Sequence, residues 1–318
     1  MSEQTTEIKA ENRVPVKTKS KRSGLLRLFY SPKAAPYIFI MPFIVSFLIF
    51  FLWPSIQTIY MSFHRVLALD NMEFIGFKNY TRLMNPNFFM ALRTSTLYAL
   101  LAVLMLIPIP LIMAVLLNSK LIRGTNFFRS VFFIPSLTSV IVAGISFRMI
   151  FGELPNALFN SFLGLFGIEP VRWVMSFWPG LFAMVSLNVW RMMGVYIVYY
   201  LSGLQTIPEE LYESAAIDGA GTLKQFFYVT LPQMKNITIY VLTLVIFESY
   251  RAFTESFVYW NDSNPGGLGL TITRYIFNEA FQKNDMGFGS AIGITLLFIV
   301  LVINLFQLKF FGLFRKED

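Results

Sequence analysis

The sequence of 318 residues contains no cysteine and a single histidine, and only 14% of its residues are charged. The absence of cysteine excludes a disulfide framework and thiolate chemistry. One imidazole, that of His64, provides no cluster of ligands for zinc or for a non-haem metal. His64 follows a long apolar run, where an interfacial side chain is a better interpretation than a catalytic one.

Several nucleotide-binding and catalytic motifs are also missing from the sequence. It has no G-x-x-x-x-G-K-[ST] loop for ATP phosphates, no G-x-S-x-G elbow, no H-E-x-x-H pair and no dinucleotide-binding glycine fingerprint. We therefore expect no catalytic residue, no metal and no cofactor in this chain. Any energy from ATP hydrolysis has to come from a partner protein.

What the sequence does contain is apolar surface, with 55% hydrophobic residues and a mean hydropathy of +0.59. A single soluble core cannot bury that much apolar surface, so lipid must be part of the solvent. About 20 apolar residues are needed for each membrane crossing. The sequence predicts an all-α, polytopic protein of the cell membrane with six transmembrane helices, at residues 36–60, 90–118, 128–151, 178–204, 237–260 and 288–312.

The net charge of +8 is distributed in a way that indicates orientation in the membrane. Residues 1–33 form a basic segment that we predict to be a cytoplasmic tail and juxtamembrane stretch, followed by a transmembrane domain of residues 34–318. Further basic residues mark the second-to-third connection and the C-terminal tail as internal: Lys120, Arg123, Arg129, Lys309, Arg315 and Lys316. Both termini are then cytoplasmic, and no basic surface is left to predict a nucleic-acid partner.

Three longer connections are predicted on the outer side, at residues 64–89, 152–177 and 261–287. The last contains the turn-forming sequence Asn-Pro-Gly-Gly at residues 264–267, to which we assign no ligand role.

Charged side chains also lie inside the predicted spans. An unpaired charge at the bilayer centre costs about 2.5–3.5 kcal/mol, so these side chains should face protein or a water-filled path. Glu248, Arg251 and Glu255 are spaced i, i+3 and i+7, which predicts one face of a continuous fifth helix where Arg251 can pair with either acid. That face is a candidate wall of a pore, and the alternative is an ion pair that locks the fifth span to a neighbour.

The polar stretch at residues 205–234, between the fourth and fifth spans, predicts a helix, a tight turn and a second helix. Pro208 suits the first position of a helix, and the two acidic residues after it complement the positive end of the helix dipole. Gly219 can adopt the left-handed conformation that ends a helix. The second helix, which contains Leu223, then runs on to Pro232. The charge pattern places this hairpin on the cytoplasmic side.

Part of this stretch, LYESAAIDGAGTLKQFFYVTLP, resembles the EAA motif of ABC-importer permeases, which is E-A-A, three residues, G, nine residues, I, one residue and L-P. Ser214 and Val229 depart from that pattern conservatively. With the upstream sequence Leu-Gln-Thr-Ile-Pro it looks like the carbohydrate-uptake branch of the family, which includes the larger maltose permease subunit. The residues in register are Glu213, Ala215, Gly219, Leu231 and Pro232.

The resemblance implies a function and a set of partners. The hairpin would insert into a cleft of an ATPase subunit through a small or apolar face that includes Leu211. The partners would be a second permease, two ATP-binding cassette ATPase subunits and an external sugar-binding protein, and the substrate would be a di- or oligosaccharide. The coupling residues would be Glu213, Ala215, Asp218, Gly219, Ala220, Leu223 and Phe226.

Carbohydrate permeases carry similar aromatic and basic residues in the fourth and fifth spans. Aromatic faces can cover the apolar side of a sugar ring, while Asn, Arg and Glu bond its hydroxyl groups. The candidate substrate path consists of Asn188, Trp190, Arg191, Tyr196, Glu248, Tyr250, Arg251 and Glu255.

Two alternative functions stay open at this point. The first is an ABC permease for glycerol phosphate or anionic sugars, since Arg191 and Arg251 could meet a negative group, although Glu248 and Glu255 offset that charge. The second is a channel or secondary transporter in which the two glutamates relay protons. The sequence identifies neither the sugar nor which permease subunit binds it.

Overall fold

A computed structural model describes residues 33, 35–68, 71–119, 123–260 and 265–311. The basic tail predicted at residues 1–33 lies, apart from Lys33, outside the described residues, as do Lys120, Arg315 and Lys316. The chain divides into two compact units, residues 1–57 and residues 58–318.

The described part of the first unit is helical. Helix α1 (Ala35–Phe47) continues through a wider π-type turn, Leu48–Leu52, into α2 (Trp53–Ser62), which extends into the second unit. Pro54 has no backbone N–H to donate within the helix, and the widened turn directly precedes it. Together these segments form an apolar helix over Pro36–Ser62 that is long enough to cross a membrane, which confirms the predicted first span.

The second unit begins with a small hairpin that the sequence did not predict. Strands β1 (His64–Ala68) and β2 (Asn71–Phe74) pair antiparallel, with His64 opposite Phe74. His64 is buried, and its ring stacks on that of Tyr60 at a centroid distance of 4.0 Å.

The rest of the described second unit is helical, and its elements are α3 (Lys78–Thr81), α4 (Pro86–Leu106), α5 (Pro108–Asn118), α6 (Thr125–Phe133), α7 (Val140–Ile150), α8 (Leu158–Gly164), α9 (Phe177–Leu204), α10 (Glu209–Ile217), α11 (Thr222–Gln225), α12 (Leu231–Gln233), α13 (Lys235–Tyr250), α14 (Thr254–Trp260), α15 (Ile272–Phe277) and α16 (Met286–Phe310). Wider π-type turns cover Phe226–Thr230 and Asn278–Gln282, and 3₁₀ turns cover Ile134–Leu137 and Pro265–Gly267.

Three further spans are confirmed as long apolar helices among the described residues, at Pro86–Asn118, Phe177–Leu204 and Met286–Phe310. The first of these starts four residues earlier than predicted, because the Asn85 side chain caps it by accepting a hydrogen bond from the Phe88 N–H at 3.0 Å. It consists of α4 and α5 with Pro108 at their junction. Gly312, the predicted end of the sixth span, lies outside the described residues.

The third predicted span, at residues 128–151, corresponds to a bent pair of helices. The helical segments Thr125–Leu137 and Val140–Ile150 meet at an angle of 97°. Thr138 and Ser139 between them have extended backbones, with ψ angles of 136° and 130°. Pro135, which lacks a backbone N–H donor, lies in the 3₁₀ turn just before this break.

The fifth predicted span, at residues 237–260, is not one continuous helix, because α13 ends at Tyr250 and α14 starts at Thr254. The Arg251 and Ala252 N–H groups bond back to the carbonyls of Glu248 and Ser249 at 3.1 and 3.3 Å, which tightens the last turn. The Ala252 carbonyl accepts a hydrogen bond from Thr273 Oγ1 at 2.9 Å. The break is therefore stabilised by a residue from a distant part of the chain.

Helix α9 lies at the centre of the packed helices and contacts α4, α5, α6, α13 and α14. At Gly194 it approaches α6 so closely that a methyl group would overlap the Phe132 carbonyl. Near the start of α9, the side chain of Trp260 donates a hydrogen bond to the Val174 carbonyl at 2.9 Å. Aromatic side chains thus fix one end of α9 and a close backbone contact fixes its middle.

The connection predicted at residues 261–287 is largely built into the core. Ile272 and Tyr275 of α15 are buried, and the Ile272 N–H bonds to Ser95 Oγ on α4 at 2.9 Å. Arg274 is buried as well and donates to the Ser256 carbonyl at 2.7 Å. This segment re-enters the bundle instead of lying on its surface, and it holds α14 in place.

Candidate functional site

The hairpin predicted at residues 205–234 has the expected order of elements. Helix α10 begins at Glu209, so Pro208 is the residue before the first turn and not its first member, one position away from the prediction. Glu209 and Glu210 lie in the first turn of α10, where they complement the helix dipole.

The turn of the hairpin is a Schellman motif centred on Gly219. Gly219 has a φ of +77°, which confirms the predicted left-handed conformation. The Ala220 N–H bonds to the Ala215 carbonyl at 2.9 Å and the Gly219 N–H to the Ala216 carbonyl at 3.0 Å. The space around Gly219 is open, so the backbone angle and not crowding requires a glycine there.

The second arm is a continuous helical stretch over Thr222–Gln233. The two arms are joined by a hydrogen bond of 2.9 Å between Tyr212 OH and Thr230 Oγ1. Gln225 Nε2 also donates to the Ala220 carbonyl at 3.0 Å, which connects the second arm to the turn. After Met234 the chain bends by 68° into α13. The hairpin is thus a unit with its own internal bonds.

The apolar residues of the hairpin face in two directions. Phe226, one of the predicted coupling residues, packs against the buried cluster of α5, α9 and α13. It lines a small cleft of about 190 Å³ together with Val115, Leu204 and Tyr212. Phe226 therefore anchors the hairpin to the rest of the chain, whereas the resemblance implied an outward contact.

Other large apolar side chains of the hairpin are strongly exposed. Ile217 is 86% exposed, Tyr228 81% and Leu223 72%. Of these, only Leu223 is among the predicted coupling residues. Glu213, Asp218 and Gly219 are exposed, and Ala215 and Ala220 are half-buried beside the turn. Ile217 and Tyr228 were not among the predicted coupling residues. The sequence offered a signal for them, because both are large apolar side chains inside a polar stretch.

The predicted path residues lie in two separate groups. In the first group, Arg191 Nη1 is 3.7 Å from Glu255 Oε1, and the side chains are only 17% and 13% exposed. Arg191 is at the middle of α9, while Glu255 is in the first turn of α14. Asn188, one turn before Arg191, is also buried.

The second group is at the end of α13. Arg251 Nη1 is 3.3 Å from Glu248 Oε1, and these side chains are 61% and 50% exposed. The Arg251 guanidinium lies over the Phe247 ring at 5.2 Å from its centroid. The exposed charges on a helix that the sequence places in the membrane require a polar surrounding, either water or another protein surface.

The expectation that Glu248, Arg251 and Glu255 share one helical face is therefore wrong. The break after Tyr250 separates Glu255 from the other two, and each acid takes a different arginine. The buried pair joins the fourth span to α14, while the exposed pair lies within one turn of α13.

The aromatic candidates differ in their access to solvent. Trp190 is partly exposed and packs on Phe147 with ring centroids 5.4 Å apart. Tyr196 is buried in the core of the bundle. Tyr250 is also buried, but its hydroxyl lies 3.0 Å from Thr96 Oγ1 on α4. Thr96 is a polar neighbour of the path that the sequence did not indicate.

The fold and the hairpin define the class of protein: a multi-pass helical membrane protein that serves as a transport subunit. The chain belongs to the family of binding-protein-dependent transport system inner membrane components, whose family model matches residues 83–311.

Two relatives show how far the similarity extends. The chain is 49% identical to the arabinooligosaccharides transport system permease protein AraP of Bacillus subtilis over 303 residues, 95% of this chain and 96% of the relative. It is 30% identical to the trehalose/maltose transport system permease protein MalF of Thermococcus litoralis, covering 92% of this chain and 98% of the relative.

A solved structure shares the fold. It is a bacterial ABC transporter involved in the import of the acidic polysaccharide alginate, and one of its chains matches with a TM-score of 0.78 and 22% identity. The match covers 89% of this chain and 96% of that chain. The two chains thus share their overall fold.

Proposed function

We propose that this chain forms, with a second permease, the translocation path of an ABC importer for an oligosaccharide that contains arabinose. The observation that supports this substrate is the 49% identity to an arabinooligosaccharide permease over 95% of the chain. Two ATP-binding cassette ATPases would supply the energy, and an external sugar-binding protein would deliver the sugar.

The hairpin is the proposed contact with the ATPases. It carries three strongly exposed apolar side chains, Ile217, Leu223 and Tyr228, on a unit stabilised by its own hydrogen bonds. Large exposed apolar side chains on a polar element are typical of a protein-binding region. In the proposed orientation this surface and both termini face the cytoplasm.

Phe226 and Tyr212 would transmit motion of the docked hairpin to the spans. Phe226 is packed against the cluster that includes α9 and α13, the two helices that carry most of the path residues. A shift of the hairpin therefore displaces packed side chains directly, which is how closely packed elements switch between discrete arrangements.

The path would run beside the exposed pair Glu248–Arg251 at the end of α13, where Tyr250 directly precedes Arg251, and beside Trp190 on α9. Arg191 and Arg251 each have a carboxylate partner, which makes a strongly anionic substrate such as glycerol phosphate a poorer fit beside them. A neutral sugar is favoured, because its hydroxyl groups can bond both members of a charged pair.

The test is purification of the tagged chain from its host with its bound partners, followed by reconstitution into liposomes. We expect an ATPase and a second permease to co-purify, and radiolabelled arabinotriose to enter the liposomes only when ATP and the sugar-binding protein are present. Uptake without ATP would support a secondary transporter instead. Uptake of glycerol phosphate but not of arabinotriose would support the anionic alternative.

A further inference from the structure

Arg93 is the single charged residue of the span Pro86–Asn118. Its side chain is exposed, and its guanidinium lies over the ring of Phe177, 4.9 Å from the centroid. A charge that faces lipid tails is costly, so the surrounding of Arg93 is expected to be polar. The aromatic contact holds the guanidinium in a defined place at the start of α9.

Two adjoining grooves share Arg93 and Trp178. The larger, of about 470 Å³, is lined by Phe89, Leu92, Arg93, Thr96, Leu97 and Trp178. The smaller, of about 220 Å³, lies between Arg93 and the turn at Gly266 and Gly267. Gly267 has a φ of +75° and lies against the Met90 sulfur, so this wall tolerates no larger residue. The grooves are therefore built from three separate parts of the chain, residues 89–97, 177–178 and 266–268.

The larger groove adjoins the proposed path. Thr96, on its wall, is within hydrogen-bonding distance of the Tyr250 hydroxyl at 3.0 Å, and Tyr250 directly precedes Arg251. Arg93 and the hairpin are at opposite ends of the same span, since the cleft beside the hairpin is lined by Asn118. Twenty-five residues of helix separate the two positions, which corresponds to roughly 38 Å.

The side chains in the groove have the chemistry of a sugar site. Trp178 is 57% exposed and offers an aromatic face for the C–H side of a sugar ring. The guanidinium of Arg93 presents a planar set of donors that can bond two neighbouring hydroxyl groups, and Thr96 adds a hydroxyl group. Apolar walls with few converging polar groups are typical of small-molecule sites, and the larger volume lies within the usual range.

We propose that Arg93 and Trp178 form a sugar-binding subsite at the end of the path away from the hairpin, which holds one unit of the oligosaccharide before it passes Tyr250. The subsite has this role only if the chain carries a sugar, as proposed above. It gives the permease itself a contribution to selectivity for chain length, in addition to that of the sugar-binding protein.

The test uses the whole reconstituted complex and radiolabelled arabinotriose. We expect Arg93→Ala and Trp178→Ala each to raise the KM of uptake about tenfold, which corresponds to the loss of one charged hydrogen-bond set or one ring contact. Arg93→Lys should recover only part of the loss, because an ammonium group lacks the planar donor set.

Arg172→Ala is the matched control, because Arg172 is an exposed arginine of the segment before α9 that lines neither groove. A KM for Arg93→Ala equal to that of Arg172→Ala would overturn the subsite. Wild-type uptake tests the proposed substrate separately. If the wild-type complex transports arabinotriose and Arg93→Ala has the same KM, only the subsite proposal is contradicted. If the wild-type complex transports no arabinotriose, the proposed substrate is contradicted, and the subsite proposal with it.

An anionic lipid headgroup is the competing occupant, since arginine and tryptophan also mark membrane interfaces. The same uptake is measured in liposomes with and without phosphatidylglycerol. An Arg93→Ala defect of equal size in both supports the sugar subsite. A defect that disappears without the anionic lipid identifies a lipid site and overturns the proposal.

Discussion

The hairpin and the charged pairs of the fourth and fifth spans are assembled in different ways. The hairpin is held by bonds between residues close in sequence, such as Tyr212 with Thr230 and Ala220 with Ala215. The largely buried pair joins Arg191 on α9 to Glu255, which lies after the break in the fifth span. One region is therefore determined by local sequence, and the other depends on the whole fold.

Gly219→Trp should have the largest effect on function, because it places a bulky side chain on the outer side of the hairpin turn. We expect the protein to insert into the membrane but to lose sugar-stimulated ATPase activity in the reconstituted complex. A non-glycine residue at positive φ also strains the backbone, which should lower the free energy of unfolding by about 1–2 kcal/mol.

Gly167→Trp is the control for that strain, since Gly167 has a φ of +72°, open space around it and a place far from the hairpin in sequence. Normal stimulated ATPase activity in the Gly219 variant would contradict the docking role. Equal losses in both variants would attribute the effect to strain alone.

Glu255→Ala should destabilise the protein most among the charge variants. It leaves Arg191 largely buried without its carboxylate, at an expected cost of about 2–3 kcal/mol, since breaking a buried pair is expensive and some solvent exposure reduces the loss. Glu248→Ala removes the exposed pair and should cost about 0–1 kcal/mol. Unfolding midpoints in detergent compare the two, and equal losses would refute the distinction between buried and exposed pairs.

Ile217→Ser tests the outward surface of the hairpin. We expect the affinity for the ATPase to fall about tenfold, because the variant loses most of the apolar area of one large side chain at the contact. The unfolding midpoint should not change. Ile168→Ser, at another exposed isoleucine, is the control, and the two variants are compared by the amount of ATPase that co-purifies. Undiminished co-purification would place the contact elsewhere.

Tyr212→Phe should have the smallest effect. It removes one hydrogen bond between the arms of the hairpin, worth about 0.5–1.5 kcal/mol. A double-mutant cycle with Thr230→Val measures this bond by thermal unfolding. Additive losses in the cycle would show that the two hydroxyl groups do not stabilise each other.

The fold was predictable where it depends on the hydropathy of a continuous segment or on hydrogen bonds between residues close in sequence. Apolar runs of sufficient length located the four long helices, and Gly219 located the turn of the hairpin. The bend in the third span and the break in the fifth were not predicted, because a run of apolar residues indicates burial and does not show where a helix bends. The break at Arg251 could not be predicted from the local sequence, because the Ala252 carbonyl is bonded by Thr273, which lies outside the span.

The candidate site was predictable in part for the same reason. The EAA-like residues marked the hairpin, but which of its apolar side chains face outward depends on how the second arm packs, and Phe226 turned inward. For the candidate path, the charged residues inside the spans were correctly expected to need partners. The pairing of Arg191 with Glu255 could not be inferred, because the spacing suggested Arg251 as the partner.

By itself the sequence determined that this chain is a helical membrane protein, where its long spans lie and where its hairpin turns, since hydropathy and backbone requirements are properties of short segments. Only the tertiary structure decided the bends of two spans, the burial of α15 and the charge partners. These depend on hydrogen bonds and packing between residues far apart in the chain, which become defined when the helices come together.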